Sequence, residues 1–342
     1  MRIDRDTSRG MVRVQNRLPR WRGFNLLEMF MTNFDASFRE EDFRWMAEWG
    51  FNFVRIPMTY EFWIEDKDPF RISGAMLERV DRAVELGNKH GLHVCLNLHR
   101  APGYCVNDGS REPFDLWKDQ EALDAFNYHW STFAKRYKGI ASSKLSFDLV
   151  NEPPAPSADG MTRGDYERVV RSSVQTIRSI DPERLVIADG MAYGNEPLPE
   201  VADLGIGQSC RAYAPFGISH YKAGWVNKQD WAEPVWPGEL GGEGRWDKER
   251  LRLHYEPWLA LMRQGVGVHC GEGGFYKETS HAVGMAWLND VLELLTSEGI
   301  GYAIWNFRGE FGILDSGRRD VDYEDWHGHK LDRKMLELLQ KY

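Results

Sequence analysis

Two glutamates stand where an apolar run gives way to polar residues. Glu152 closes KLSFDLVNE (144–152), and Glu272 closes VGVHCGE (266–272). A carboxyl group at the mouth of an apolar strand can move a proton or attack an electrophilic carbon. Two such groups flanking a sugar bond at about 5–5.5 Å suit hydrolysis with net retention. One must be protonated to release the leaving group while the other attacks the anomeric carbon. Burial and mutual repulsion separate their pKa values so that both states coexist near neutrality. The same residues could instead be loop glutamates making salt bridges. A metal-binding barrel would want several His or Asp ligands together, and the strand ends supply one histidine. No metal and no organic cofactor is therefore expected.

Which elements would bring these residues together? Short apolar runs alternate with longer amphipathic segments eight times. The strand candidates are 20–26, 51–57, 93–99, 144–152, 184–189, 207–213, 266–272 and 301–307. Most read as near-continuous apolar stretches, as parallel strands covered on both faces do. Helical stripes lie between them. Met76, Leu77, Val80, Ala83 and Val84 recur at helical spacing, and similar stripes lie at 43–49, 123–137, 166–180, 251–262 and 283–295. A final helix spans 331–339. Strict β-then-α alternation implies parallel strands and right-handed crossovers, and eight units close a (β/α)8 barrel. An open doubly wound sheet would usually carry a Gly-rich phosphate loop after its first strand, whereas this chain continues RGFNLLEMF. The expected fold is α/β: one (β/α)8 TIM barrel domain over 1–342, with elaborated loops after strands 3, 6 and 8.

Barrel active sites lie at the C-terminal strand ends, which here offer Arg55, His99, Asn151, Glu152, Tyr213, Glu272 and Trp305. Strands 4 and 7 lie on opposite sides of the barrel, so their glutamates can face each other across its mouth. GNEP recurs at 194–197, but Glu196 lies seven residues beyond Asp189 and reads as a rim residue. Tyr193 and Asn195 could still touch a distal sugar.

Composition narrows the partners. The 342 residues carry 43 Lys and Arg against 52 Asp and Glu, a net charge of −9. That balance argues against nucleic acid and anionic membranes, whose binding faces need a basic field. A neutral carbohydrate fits better. Cys95, Cys105, Cys210 and Cys270 lack CxxC spacing and do not make a disulfide framework in a chain this long. The N-terminal stretch MRIDRDTSRGMVRV has no apolar core of a secretory signal, so the expected location is cytoplasmic, or secreted if a signal was removed.

Six motifs in order then carry a family resemblance: VRIP with Arg55, LNLH with His99, LVNEP with Asn151 and Glu152, RAYAPFGISH with Tyr213 and His220, GEGG with Glu272, and AIWNF with Trp305. Together they resemble glycoside hydrolase family 5, the cellulase-like group of retaining (β/α)8 glycosidases. The resemblance implies that Glu152 is the acid/base and Glu272 the nucleophile. It implies that Asn151 hydrogen-bonds the 2-hydroxyl of the reacting sugar, and that Arg55 and Tyr213 orient Glu272. His99 and His220 would line the site, with Trp305 as an apolar floor. Two positions depart from the family pattern. Arg100 follows His99 where many members have a second histidine, and Arg211 stands where most carry the histidine of His-x-Tyr. If Arg211 approaches Glu272 it favours the ionised nucleophile; alternatively it turns outward to pair with an acidic residue on the rim.

Of fourteen tryptophans, Trp225, Trp231, Trp236 and Trp246 crowd the loop after strand 6, with Trp63 and Trp117 after strands 2 and 3. Sugar faces stack on such rings, although half of them could simply pack loops onto the barrel. The function expected is hydrolysis of β-linked glucan- or mannan-type polysaccharides or oligosaccharides. The alternatives are an exo-acting β-glucosidase or β-mannosidase working on short sugars, and a silent barrel that only binds carbohydrate.

Overall fold

The computed structural model describes residues 17–107, 112–157, 160–226 and 230–342. The charged N-terminal stretch lies outside these residues, as does part of the loop after strand 6. Eight strands form the barrel: β1 (Arg22–Asn25), β2 (Phe53–Thr59), β3 (His93–Ala101), β4 (Leu145–Asp148), β5 (Leu185–Asp189), β6 (Gly207–Ala212), β7 (Gly267–Gly273) and β8 (Gly301–Ile304). All pair in parallel in the order β2-β1-β8-β7-β6-β5-β4-β3, and a β2–β3 ladder closes the ring. Most of these strands are buried along their whole length, because side chains fill the inside and helices cover the outside.

The surrounding helices are α1 (Glu40–Glu48), α2 (Gly74–Lys89), α3 (Gln120–Arg136), α4 (Arg163–Ile180), α5 (Lys248–Arg263), α6 (His281–Ser297) and α7 (Arg333–Lys341). Their buried residues recur at helical spacing, as Leu77, Val80, Ala83 and Val84 do on α2. The α4 N-terminus is fixed by a reciprocal capping box between Thr162 and Asp165, which ends the loop leaving β4.

The alternation breaks once. Segment 190–206 is interrupted by Gly194, Pro197 and Pro199, which break a regular helix. It forms one helical turn at Met191–Gly194 and a 3-10 helix at Pro199–Leu204 in place of an eighth helix. The loops after β3, β6 and β8 carry extra strands, as expected. So does the loop after β2, where an unforeseen hairpin pairs Ile64–Glu65 with Asp68–Ile72. At the closed end of the barrel, Trp21 stacks on His93 and Phe53 and meets His269 edge-on. This leaves the other end to hold polar groups.

Candidate active site

Glu272 owes its position to a bulge. Along β6 and β7, Cys210 pairs with Cys270, yet Arg211 pairs with Glu272, so Gly271 is an extra residue in the ladder. Such an insertion re-aims the side chain that follows it. Glycine leaves room there: an added Cβ would lie 2.5 Å from Ser209 Oγ and 3.1 Å from Arg211 Nη1 and would push those groups aside. Glu272 is consequently buried between two donors. Arg55 Nη1 donates to its Oε1 at 2.7 Å, and the Tyr213 hydroxyl donates to its Oε2 at 3.1 Å.

Glu152 is not a strand residue. β4 ends at Asp148, and Glu152 sits four residues later with φ of +49°, a left-handed conformation that is costly for a side chain with a Cβ. Neighbours hold it there: its N–H donates to Asp189 Oδ2 at 3.0 Å, and the Tyr104 hydroxyl donates to its carbonyl at 2.6 Å. Burial pushes the Glu152 carboxyl up to about 8. The charges of Glu272 and Asp189 add to that effect and Arg211 opposes it.

Two buried arginines organise the mouth. Arg55 donates Nε to Asp148 at 2.8 Å, Nη1 to Asn25 and Glu272, and Nη2 to Asn151 Oδ1 at 2.9 Å. Arg211 turns inward, not toward the rim. Its Nε donates to Glu152 Oε1 at 2.9 Å, its Nη1 to Ser209 Oγ at 2.9 Å and Asp189 Oδ1 at 3.1 Å, and its Nη2 to Asn151 Oδ1 at 3.0 Å and to Asp189 Oδ2. The same Nη2 lies 3.4 Å from Glu272 Oε1. Arg211 therefore touches both glutamates and holds Glu152 the more closely. Burial opposes ionisation of Asp189, but Arg211 and Arg55 outweigh it and keep that carboxyl below its ordinary range. Asp148 is pushed up to about 7 by burial and the Asp189 charge.

Above this floor lies a cleft of about 1500 Å³. Among the predicted residues, His99, Glu152, Arg211, Tyr213, His220, Trp225, Glu272 and Trp305 line it. Arg55 and Asn151 do not. They are buried behind the carboxylates, Arg55 because it is the third residue of β2 and rises from deep in the barrel. Asn151 Oδ1 serves both arginines, which leaves its Nδ2 without a protein partner. His99 is bonded through Nε2 to Asn107 and packs edge-on against Phe30. Its imidazole and that of His220 are each pushed down to about 3 by burial, so both rings are neutral. Trp305 also meets Phe30 edge-on.

The remaining expectations divide. Trp225 is 55% exposed at the cleft and free to meet a sugar, and Tyr193 and Asn195 also line the wall. Trp63 and Trp117 are buried packing residues. Glu196 is exposed and ion-paired with Arg163, as befits a rim residue. Arg100 pairs with Glu112 at 2.6 Å and secures the loop after β3. All four cysteines are free and buried. Sequence reasoning did not single out Asn25, Glu28, Asp148 or Asn306 as site residues. A charged residue inside an apolar strand, as Asp148 is in SFDLV, was the available signal.

Comparison with known proteins agrees with this geometry. The model of the cellulase family, glycosyl hydrolase family 5, matches residues 14–310. Endoglucanase C of Acetivibrio thermocellus is 27% identical over 318 residues, covering 85% of this chain and 90% of that protein. Cellodextrinase A of Ruminococcus flavefaciens is 25% identical over 78% of this chain and 77% of its own length. A crystal structure described as a glycoside hydrolase superposes with a TM-score of 0.89 at 41% identity, covering 94% of this chain and 99% of its own. Endoglucanase Cel5A of Thermotoga maritima shares the fold, with a TM-score of 0.71 at 22% identity over 93% of this chain and 96% of its own. With the family model spanning nearly the whole barrel, this chain is a glycoside hydrolase that belongs to the cellulase family, glycosyl hydrolase family 5.

Proposed function

We propose that the enzyme hydrolyses β-linked glucan- or mannan-type chains with net retention, Glu272 attacking and Glu152 serving as acid and then base. The observation that carries this reading is the opposite setting of two carboxyls held by one guanidinium. Glu152 is kept protonated near neutrality, whereas Glu272 accepts hydrogen bonds from Arg55 Nη1 and the Tyr213 hydroxyl. In the first step Glu272 bonds to the anomeric carbon, the glycosidic C–O bond breaks, and the Glu152 proton passes to the leaving oxygen. In the second, water attacks that carbon, its proton goes to Glu152, and Glu272 leaves as a carboxylate.

The cleft exceeds the usual range of about 300–1,000 Å³ for a small-ligand pocket, which supports an oligosaccharide. Its walls run from Glu28 and Asn306 on the β1 and β8 loops to Tyr193 and Phe216 on the β5 and β6 loops. Sugars can therefore lie on both sides of the reacting bond, which favours internal cleavage, as the similarity to endoglucanase C does. Similarity to a cellodextrinase brings short oligosaccharides within range. A panel of β-glucans, mannans and aryl β-glycosides, with NMR of the first-formed anomer, tests the reading. Initial release of the β-anomer is expected. An initial α-anomer from a β-glycoside would refute the mechanism, and inertness toward every substrate would leave only carbohydrate binding.

A further inference from the structure

The two arginines of the mouth are not equivalent. Arg55 reaches Glu272 and otherwise directs its donors to Asn25, Asp148 and Asn151. Arg211 sits between the catalytic carboxyls, with Nε 2.9 Å from Glu152 and Nη2 3.4 Å from Glu272. The backbone makes room for this longer side chain. An added Cβ on Gly194 would fall 2.4 Å from Arg211 Cγ, and one on Gly271 would fall 3.1 Å from its Nη1.

Double displacement moves charge across this pair. Before reaction the negative charge is on Glu272 and Glu152 holds a proton. Once the glycosyl ester has formed, Glu272 is neutral and Glu152 carries the charge. The total is unchanged, but the charge has moved from the carboxyl that Arg55 serves to one it does not. We propose that Arg211 is the counter-ion of whichever glutamate is ionised, and that it acts chiefly in the second step by keeping Glu152 a carboxylate able to take the proton of attacking water. This rests on the double-displacement reading above.

The other groups facing Glu152 are Glu272 from β7, whose charge is lost in the ester, and Asp189 from β5, a persistent anion that disfavours ionisation. Arg211 opposes that anion. A buried histidine in its place would not, since His99 and His220 in the same mouth are neutral. Arg211 is thus a positioning residue acting through Glu152.

The test uses Arg211→Gln and Arg211→Lys with a 2,4-dinitrophenyl β-cellobioside, whose leaving group needs little acid help. For Arg211→Gln, kcat should fall about 10- to 100-fold with KM falling in parallel, a stoichiometric burst of dinitrophenolate, and rescue by azide, which needs no base. Arg211→Lys should recover part of kcat. A loss of kcat/KM as large as that of kcat, without burst or azide rescue, would overturn the proposal. Should the Gln variant fail to fold, the wild-type enzyme decides. Turnover of its 2-fluoro glycosyl-enzyme should hold down to about pH 5, near the ordinary glutamate range, and a decline already below about pH 7 would overturn the assignment. Absence of any covalent adduct on Glu272 by mass spectrometry would instead refute double displacement itself.

Discussion

Glu28 offers a quantitative check on the cleft. It lies on the β1 loop, lines the cleft wall, and its Oε2 has no protein partner. Burial pushes its carboxyl up to about 7; its own N–H opposes the rise, the Asp42 charge adds to it, and Arg39 and Arg308 oppose it. An acid whose folded pKa exceeds its unfolded value stabilises the fold only while protonated. That contribution is fully present below about pH 4.5 and is lost as pH rises through about 7. At about 1.4 kcal/mol per unit, the loss approaches about 3 kcal/mol above pH 7. Glu28→Gln keeps the shape and removes the titration. The variant should therefore gain about 3 kcal/mol over the wild type between pH 4 and pH 8, or about 4 °C in Tm for a chain of this length. Calorimetry of both proteins at fixed scan rate across that range measures it. Asp42 titrates in both and largely cancels. A Tm difference that stays constant with pH would refute the reasoning.

Three further outcomes bear on catalysis. Glu272→Ala should abolish turnover of every substrate by about 10⁴-fold or more, whereas Glu152→Ala should spare the first step on dinitrophenyl glycosides and yield a β-glycosyl azide with added azide; near-wild-type rates in Glu272→Ala would reverse the assignment. Because Glu152 must be protonated in the first step, kcat/KM on a glycan should fall as pH rises through about 8, and a basic limb below pH 6 would exclude it as the acid. Trp225→Ala should raise KM for oligosaccharides about fivefold, equivalent to about 1 kcal/mol of stacking, with less change in kcat; an unaltered KM would mean the exposed ring meets no sugar.

The primary structure alone carried the barrel, since apolar runs and helical stripes are local patterns set by burial on the faces of strands and helices. It also carried the order of the motifs that single out Glu152 and Glu272, although only Glu272 lies within its strand and Glu152 sits on the loop four residues beyond β4. The missing helix between β5 and β6 lay in the glycines and prolines of segment 190–206, where Gly194, Pro197 and Pro199 interrupt any helix, while the path back to the sheet is decided only by chain closure. The bulge at Gly271 was invisible. GEGG states that glycine is present, but which partner residue it is pressed against depends on β6. Arg211 shows the division most clearly. Its type was legible as a departure from histidine, and two orientations stood open. Its direction was decided by Asp189, Asn151, Glu152 and Ser209, brought together from the end of β5, the loop after β4 and its own strand. A guanidinium buried in a low-dielectric mouth goes where carboxylates already converge, and that convergence exists only once the ring of strands has closed.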